Sequence, residues 1–259
     1  RVLFRSQIPY NPMAFRNVTN LAVGPKGNVW LAESDPLVRR FVKLNADGKW
    51  LEDFYGPVAY NTFGPNLDDF STVYYTISGG SFIETKIDYA QYRKNPMAPS
   101  KAWHIVAIHD MGLAADGKTR NETMAKLAGF GYGHVIAFRG KNGKRYFFRF
   151  SKLNRATAPI GAGIWIERNG RWVPCAFVAR DTKKYKSWAD QNGDGLIQAN
   201  EQYESLPLTR AAWIDRDLTL HGFGGKLAPA SVSEAGVPNY AGGVYKPYLN
   251  EGEKSYLGD

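Results

Sequence analysis

Residues 190–201, DQNGDGLIQANE, hold a dense set of oxygen-bearing side chains. Asp190, Asn192 and Asp194 stand at alternate positions, Gly195 follows, and Glu201 closes the stretch, in the order D-x-[DN]-x-[DN]-G-x5-E. A calcium ion takes about six to eight oxygen ligands, and this spacing delivers them from one short loop. Asp190, Asn192 and Asp194 each offer a side-chain oxygen, Leu196 its backbone carbonyl, Gln198 an oxygen directly or through water, and Glu201 both carboxylate oxygens. Gly195 lets the chain turn where a Cβ would clash, and Ile197 is an apolar anchor for the loop. A plain solvated turn also accounts for Asn192-Gly193-Asp194-Gly195, but it does not require Glu201 at the closing position.

The flanks of this stretch decide what kind of site it makes. Asp181 to Trp188 is Lys-rich and follows an apolar, strand-like run, and Pro207 stops any helix leaving the loop. The expectation is a lone EF-hand-type loop, inserted over residues 188–203 of another fold, with calcium as a structural brace rather than a switch. Lys183, Lys184 and Lys186 weaken the local field and point to a low-affinity extracellular site.

The histidines are His104, His109, His134 and His221. His104 and His109 are separated by an odd number of positions, so on one strand they face opposite sides. His109, His134 and His221 sit at predicted strand ends, and all four are candidates for a catalytic or metal-binding role. The competing reading is unconnected structural histidines, since four in 259 residues is an ordinary count. Residues 145–150, RYFFRF, interleave bases and aromatics. That pattern suits single-strand stacking. It suits a core strand better, with Tyr146, Phe148 and Phe150 inward and Arg145, Phe147 and Arg149 on a solvated outer face. No nucleophile elbow, zinc-protease helix, P-loop or dinucleotide fingerprint occurs. Asn17 and Asn121 fit the glycosylation acceptor pattern.

The elements around these residues read as short strands punctuated by tight turns. Leu21–Val23 with Val29–Ala32, Arg40–Leu44 with Lys49–Phe54, Val135–Arg139 with Arg145–Phe150, Ile164–Glu167 with Trp172–Val173, and Ala212–Asp215 with Leu218–His221 are predicted hairpins. Asn-Gly and Asp-Gly supply the positive φ that such turns need. Residues 86–102 and 110–130 read as long surface excursions, the second with a short helix over Glu122–Leu127. The tail from Lys226 is rich in Gly and Pro, with residues 236–240, GVPNY, as its most structured element.

Composition narrows the classes. The chain has a formal net charge of +9, from 33 Lys and Arg against 24 Asp and Glu. That balance favours anionic partners, but no block of like charges marks a dedicated nucleic-acid groove. Cys175 is the sole cysteine, which excludes an internal disulfide and a cysteine zinc cluster, and its apolar neighbours predict a buried residue. No apolar run approaches the roughly eighteen residues of a membrane span. Arg1 as first residue suggests a processed protein or part of a longer chain.

Residues 18–55 resemble an NHL-type β-propeller repeat, with Pro25, Gly27, Asn28, Val29 and Trp30 matching its first turn and strand and Asp47, Gly48 and Lys49 its second turn. Trp188, Asp190, Asn192, Gly193, Asp194, Gly195 and Glu201 look like the calcium-loop insertion of secreted bacterial NHL-like proteins. Asp215, Asp217, Leu218 and Leu220, then Gly236, Pro238 and Tyr240, are similar to the elements that follow it, except that Leu218 replaces an expected Gly.

The resemblance implies an all-β propeller of about six four-stranded antiparallel blades, or part of a larger propeller, as one domain over residues 1–259. Two functional readings follow. One is a secreted or periplasmic binding module braced by calcium, holding a protein or an anionic polysaccharide and associating with other chains or another part of the same protein. The other is a metal-dependent lyase or hydrolase with its histidines around the central channel.

Overall fold

The turns that were legible as Asn-Gly and Asp-Gly pairs adopt the left-handed backbone that glycine permits, with Gly48 at φ +77°, Gly143 at +78°, and Asn169 and Gly170 at +52° and +73°. They join antiparallel strands in the computed structural model, which describes residues 7–9, 13–15, 18–24, 26–34, 39–55, 63–77, 80–94, 102–129, 135–151, 160–181, 184–204, 211–222 and 224–248. His134, Asn17, Pro25, Lys183 and Pro207 lie outside the described residues.

After β1 (Gln7–Pro9), strands β2 (Val18–Val23), β3 (Val29–Ser34), β4 (Arg39–Leu44) and β5 (Trp50–Tyr55) form a four-stranded meander in chain order. Its register places Leu31 opposite Val42 and Val29 opposite Leu44, and these four residues make a small apolar cluster.

The middle of the chain is arranged differently from a row of four-stranded blades. Strands β6 (Phe63–Asn66), β7 (Asp69–Ile77), β8 (Ser81–Ile87) and, after helix α1 (Tyr89–Lys94), β9 (Trp103–Asp110) make one meander. Helix α2 (Glu122–Gly129) follows. A second meander runs through β10 (Val135–Arg139), β11 (Arg145–Ser151), β12 (Ile160–Arg168), β13 (Arg171–Asp181), β14 (Lys184–Ala189) and β15 (Gln202–Glu204). The two join edge to edge into one eleven-stranded sheet, in the order β1-β9-β8-β7-β6-β10-β11-β12-β13-β14-β15. The joint is a short parallel contact in which Asn66 faces Ala137 and Leu67 N donates to Ala137 O at 2.7 Å. Here a Cβ on Gly64 would stand 1.7 Å from the Val135 carbonyl oxygen, so only glycine fits.

A second four-stranded sheet, β16 (Ala211–Ile214), β17 (Leu220–Gly222), β18 (Gly225–Ala228) and, past the β19 (Ser231–Val232) and β20 (Pro238–Asn239) hairpin, β21 (Val244–Pro247), covers one face of the large sheet. Ile214, Leu218, Leu220 and Leu227, with Val237 and Tyr240, pack on Ile136, Phe138, Tyr146, Phe148, Ile164, Ile166 and Val178. Leu218 sits at φ +68°, in the left-handed region that favours glycine. The GVPNY element closes this layer: Tyr146 Oη donates to Gly236 O, and Tyr240 Oη to Leu218 O, each at 2.6 Å.

The opposite face is buried too, which corrects two expectations. Residues 110–129 are not a surface excursion. Met111, Met124, Leu127 and Ala128 pack with Tyr74, Phe82, Phe147, Trp165, Phe177 and Trp188 in a second core. The face carrying Phe147 and Arg149 is therefore not solvated: Phe147 is 0% and Arg149 1% exposed. Each large apolar side chain buried this way contributes about 1.5–3 kcal/mol. The Arg149 guanidinium carbon lies 5.4 Å over the Phe82 ring, and burial pulls the group down to about 9. Cys175 is fully buried, and burial pushes its thiol up, out of the nucleophilic range. No helix among the described residues is long and apolar enough to cross a membrane.

Candidate metal centre

The 190–201 loop joins β14 to β15, two antiparallel neighbours, so it is flanked by strands rather than by a helix pair. A short 3-10 turn, Ala199–Glu201, leads into β15. The loop is fastened to the body at several points. Asp190 N donates to Cys175 O at 2.9 Å, Ala115 N to Asp194 O at 2.8 Å, and Asn121 Nδ2 to Gly195 O at 2.9 Å. Ile197 packs against the inner core, as its apolar character implies.

Within the loop, Asp190 Oδ1 accepts the amides of Gly193 at 3.0 Å and Gly195 at 3.1 Å. Asn192 Oδ1 accepts from Asp194 N at 3.0 Å, and Asp194 Oδ1 from Leu196 N at 2.7 Å. These local bonds wind the backbone around its own side chains. Gly193 and Gly195 take φ of +84° and +77°, and a Cβ on Gly195 would press on Val173 at 3.0 Å. Glu201 folds back over the start of the loop. Its Oε1 accepts Gln191 N at 2.9 Å and Asn192 N at 3.4 Å, and its Oε2 accepts Trp188 Nε1 at 3.0 Å.

Asp190 and Glu201 are each 1% exposed. Burial raises the Asp190 carboxyl above its ordinary range, against the opposing pull of the Gly195 amide and Arg168. Arg168 Nη1 stands 3.3 Å from Asp190 Oδ2 and donates to Gly193 O at 2.6 Å. Sequence reasoning missed this cation, which reaches the loop from the end of β12 and carries no local motif. It also missed Asn121, whose side chain is buried and bonded to the loop. Its acceptor pattern for glycosylation is thus closed off in the folded chain.

The loop brings Asp190, Asn192, Asp194, Gln198 and Glu201 onto one short segment, but it leaves their carboxylates engaged with N–H donors. Asp194 Oδ2 accepts Gln198 Nε2 at 2.6 Å and Asn192 Nδ2 at 3.1 Å. Among the described residues no three His, Cys, Asp or Glu side chains are grouped ready to hold a metal ion. The fit to a hard cation rests on the oxygen donor set and on one orphan: Gln198 Oε1 is buried with no hydrogen-bond partner.

The described histidines fall in three settings. His104 is exposed on β9. His109, at the other end of the same strand, is 2% exposed and shares a 2.7 Å hydrogen bond between Nε2 and Glu84 Oε2. Its Nδ1 is buried without a partner, as is Oη of Tyr74, whose ring centre lies 6.3 Å away. Burial pushes the Tyr74 phenol far up, so it stays protonated. His221, on β17, links Asp215 Oδ2 at 2.9 Å from Nε2 to Tyr248 Oη at 2.7 Å from Nδ1. Glu84 and Tyr248 are distant from their histidines in sequence, and Asp215, although noted in its turn, carried no sign of its bond to His221.

No known family model matches the chain, and no curated protein matches it.

Proposed function

We propose that this chain is a secreted or periplasmic binding protein of NHL-like, propeller-type build, braced by one calcium ion and holding a protein or an anionic glycan. The four-stranded sheets at 18–55 and 211–247 support the blade reading. The single observation that carries the calcium reading is the loop itself. Asp190, Asn192, Asp194, Leu196, Gln198 and Glu201 keep the EF-type order, Gly195 makes the required left-handed turn, and Gln198 Oε1 is buried and unpartnered. Asp190, Asp194 and Glu201 would be the carboxylates that hold the ion, which would neutralise their charge, while Arg168 holds the Gly193 carbonyl.

The test is a calcium titration of chelated protein, followed by calorimetry and thermal melting. Calcium at about a hundredfold excess over its dissociation constant stabilises by about 2.7 kcal/mol. Asp190→Ala and Glu201→Gln abolish that gain. Limited proteolysis gives an independent reading, with new cleavage at Lys184 or Lys186 only under chelation. Absence of both a binding isotherm and a melting shift in the wild type ends the calcium reading.

One observation favours a second reading, a lyase or hydrolase. Nε2 of His109 is bonded to Glu84 and its Nδ1 has no partner, the arrangement of a histidine base oriented by a carboxylate. The test is incubation with uronic-acid oligomers, read as new reducing ends and as absorbance of unsaturated product. Product formed by wild type and lost in His109→Gln supports it, and no product with wild type rejects it.

A further inference from the structure

The sheet of β16, β17, β18 and β21 has two faces of opposite character. Ile214, Leu220, Leu227 and Tyr245 turn toward the core. The strand registers then place Trp213 opposite His221, His221 opposite Lys226, and Lys226 opposite Lys246, in one row across the outer face. Such a row spans about 14 Å, three strand spacings.

Three features of this row are poor choices for a sheet face that only meets water. Trp213 is 43% exposed, leaving a large ring uncovered. Lys226 and Lys246 are like charges directly opposite each other, which is destabilising, and neither has an ion-pair partner among the described residues. Tyr248 is 52% exposed, yet its hydroxyl is fixed by His221 and its ring lies stacked against the imidazole at 6.3 Å and 15°. Two cations elsewhere on the surface are matched, Lys141 with Asp217 and Arg216 with Asp68.

We propose that this face is the binding surface for an acidic polysaccharide, and this rests on the binding-protein reading above. The Lys226–Lys246 pair takes a carboxylate or sulfate. The rings of Trp213 and Tyr248, both beside His221, offer flat apolar faces to sugar rings. The Asp215–His221–Tyr248 chain offers fixed partners for hydroxyl groups. A phosphate backbone is less well served, because no arginine stands in the row to fork two of its oxygens.

The probe is an oligogalacturonate of defined length, with its neutral, reduced counterpart and a single-stranded oligodeoxynucleotide of equal charge as controls. Wild type binds the uronate saturably, and more weakly as salt rises. Trp213→Ala and the double variant Lys226→Gln/Lys246→Gln each lose about tenfold or more in affinity while melting within error of wild type. The neutral oligomer does not compete. Uronate binding unchanged in both variants overturns the assignment of this face and leaves the binding reading standing. No saturable binding by wild type overturns the inference and the glycan arm of that reading together. Tighter binding of the oligodeoxynucleotide overturns the choice of ligand. The calcium reading is untouched by any of these outcomes, since its own test is thermal.

Discussion

The indole N–H of Trp188 donates to Glu201 Oε2 across 3.0 Å, with both side chains buried. The last strand before the loop thus grips the residue that closes it. Trp188→Phe keeps an aromatic ring and removes the donor, leaving a buried carboxylate short of one partner. The expected loss is about 1–3 kcal/mol, read by urea unfolding with the slope unchanged. Stability equal to wild type would show that Glu201 is satisfied by other donors.

Asn121 serves two elements at once. Its Oδ1 accepts Met124 N at 3.1 Å at the start of α2, and its Nδ2 donates to Gly195 O. Asn121→Ala removes a helix cap, which costs about 0.5–2 kcal/mol, and also releases the loop. Asn121→Asp retains the cap acceptor but not the amide donor. The aspartate variant is therefore expected to restore part of the stability and none of the loop anchoring, the latter read by hydrogen exchange at residues 193–196.

Acid should weaken the fold through its hydrogen-bonded surface carboxylates. The hydroxyl of Thr119, with the amides of Lys118 and Thr119, lowers Asp116 to about 2. A hydrogen bond from Lys86, then one from Ser71, holds Asp69 well below its ordinary value of 3.8. Both folded values lie below the unfolded ones. Their stabilisation is thus present above about pH 3.8 and is lost as pH falls toward 2. Asp69→Asn and Asp116→Asn should each flatten the acid limb of a melting-temperature profile. An unchanged limb in the double variant would place the acid sensitivity elsewhere.

Leu218 sets backbone strain against packing. Left-handed φ costs a non-glycine residue about 1–2 kcal/mol, whereas emptying a buried leucine site costs about 2–5 kcal/mol. Packing wins. Leu218→Gly is expected to be less stable than wild type by about 1–3 kcal/mol, measured by thermal or urea unfolding. A stabilised variant would mean that the strain outweighs the side chain.

The hairpins were legible because their signals are local. Asn169-Gly170 and Asp47-Gly48 need only a positive φ, and alternation then gives each strand a face. Alternation does not say what covers the other face. Residues 145–150 read as one-sided, yet α2 and Met111 cover Phe147 from a distance in sequence that no period-two pattern carries. The loop order from Asp190 to Glu201 was equally local and equally legible. Arg168 and Asn121, which meet it from β12 and from the start of α2, were not. Neither was the row from Trp213 to Lys246, because it exists only once strand registers are fixed.

The short parallel joint between β6 and β10 has a kinetic consequence. Each meander on either side of it forms from neighbours in the chain, whereas the joint must close a loop of some seventy residues before a single ladder contact rewards it. The two halves of the large sheet are therefore expected to zip independently and to dock late. Until they dock, the edges of β6 and β10 are bare templates for strands of other molecules. Gly64, by admitting the Val135 carbonyl so closely, is what lets those two edges meet at all.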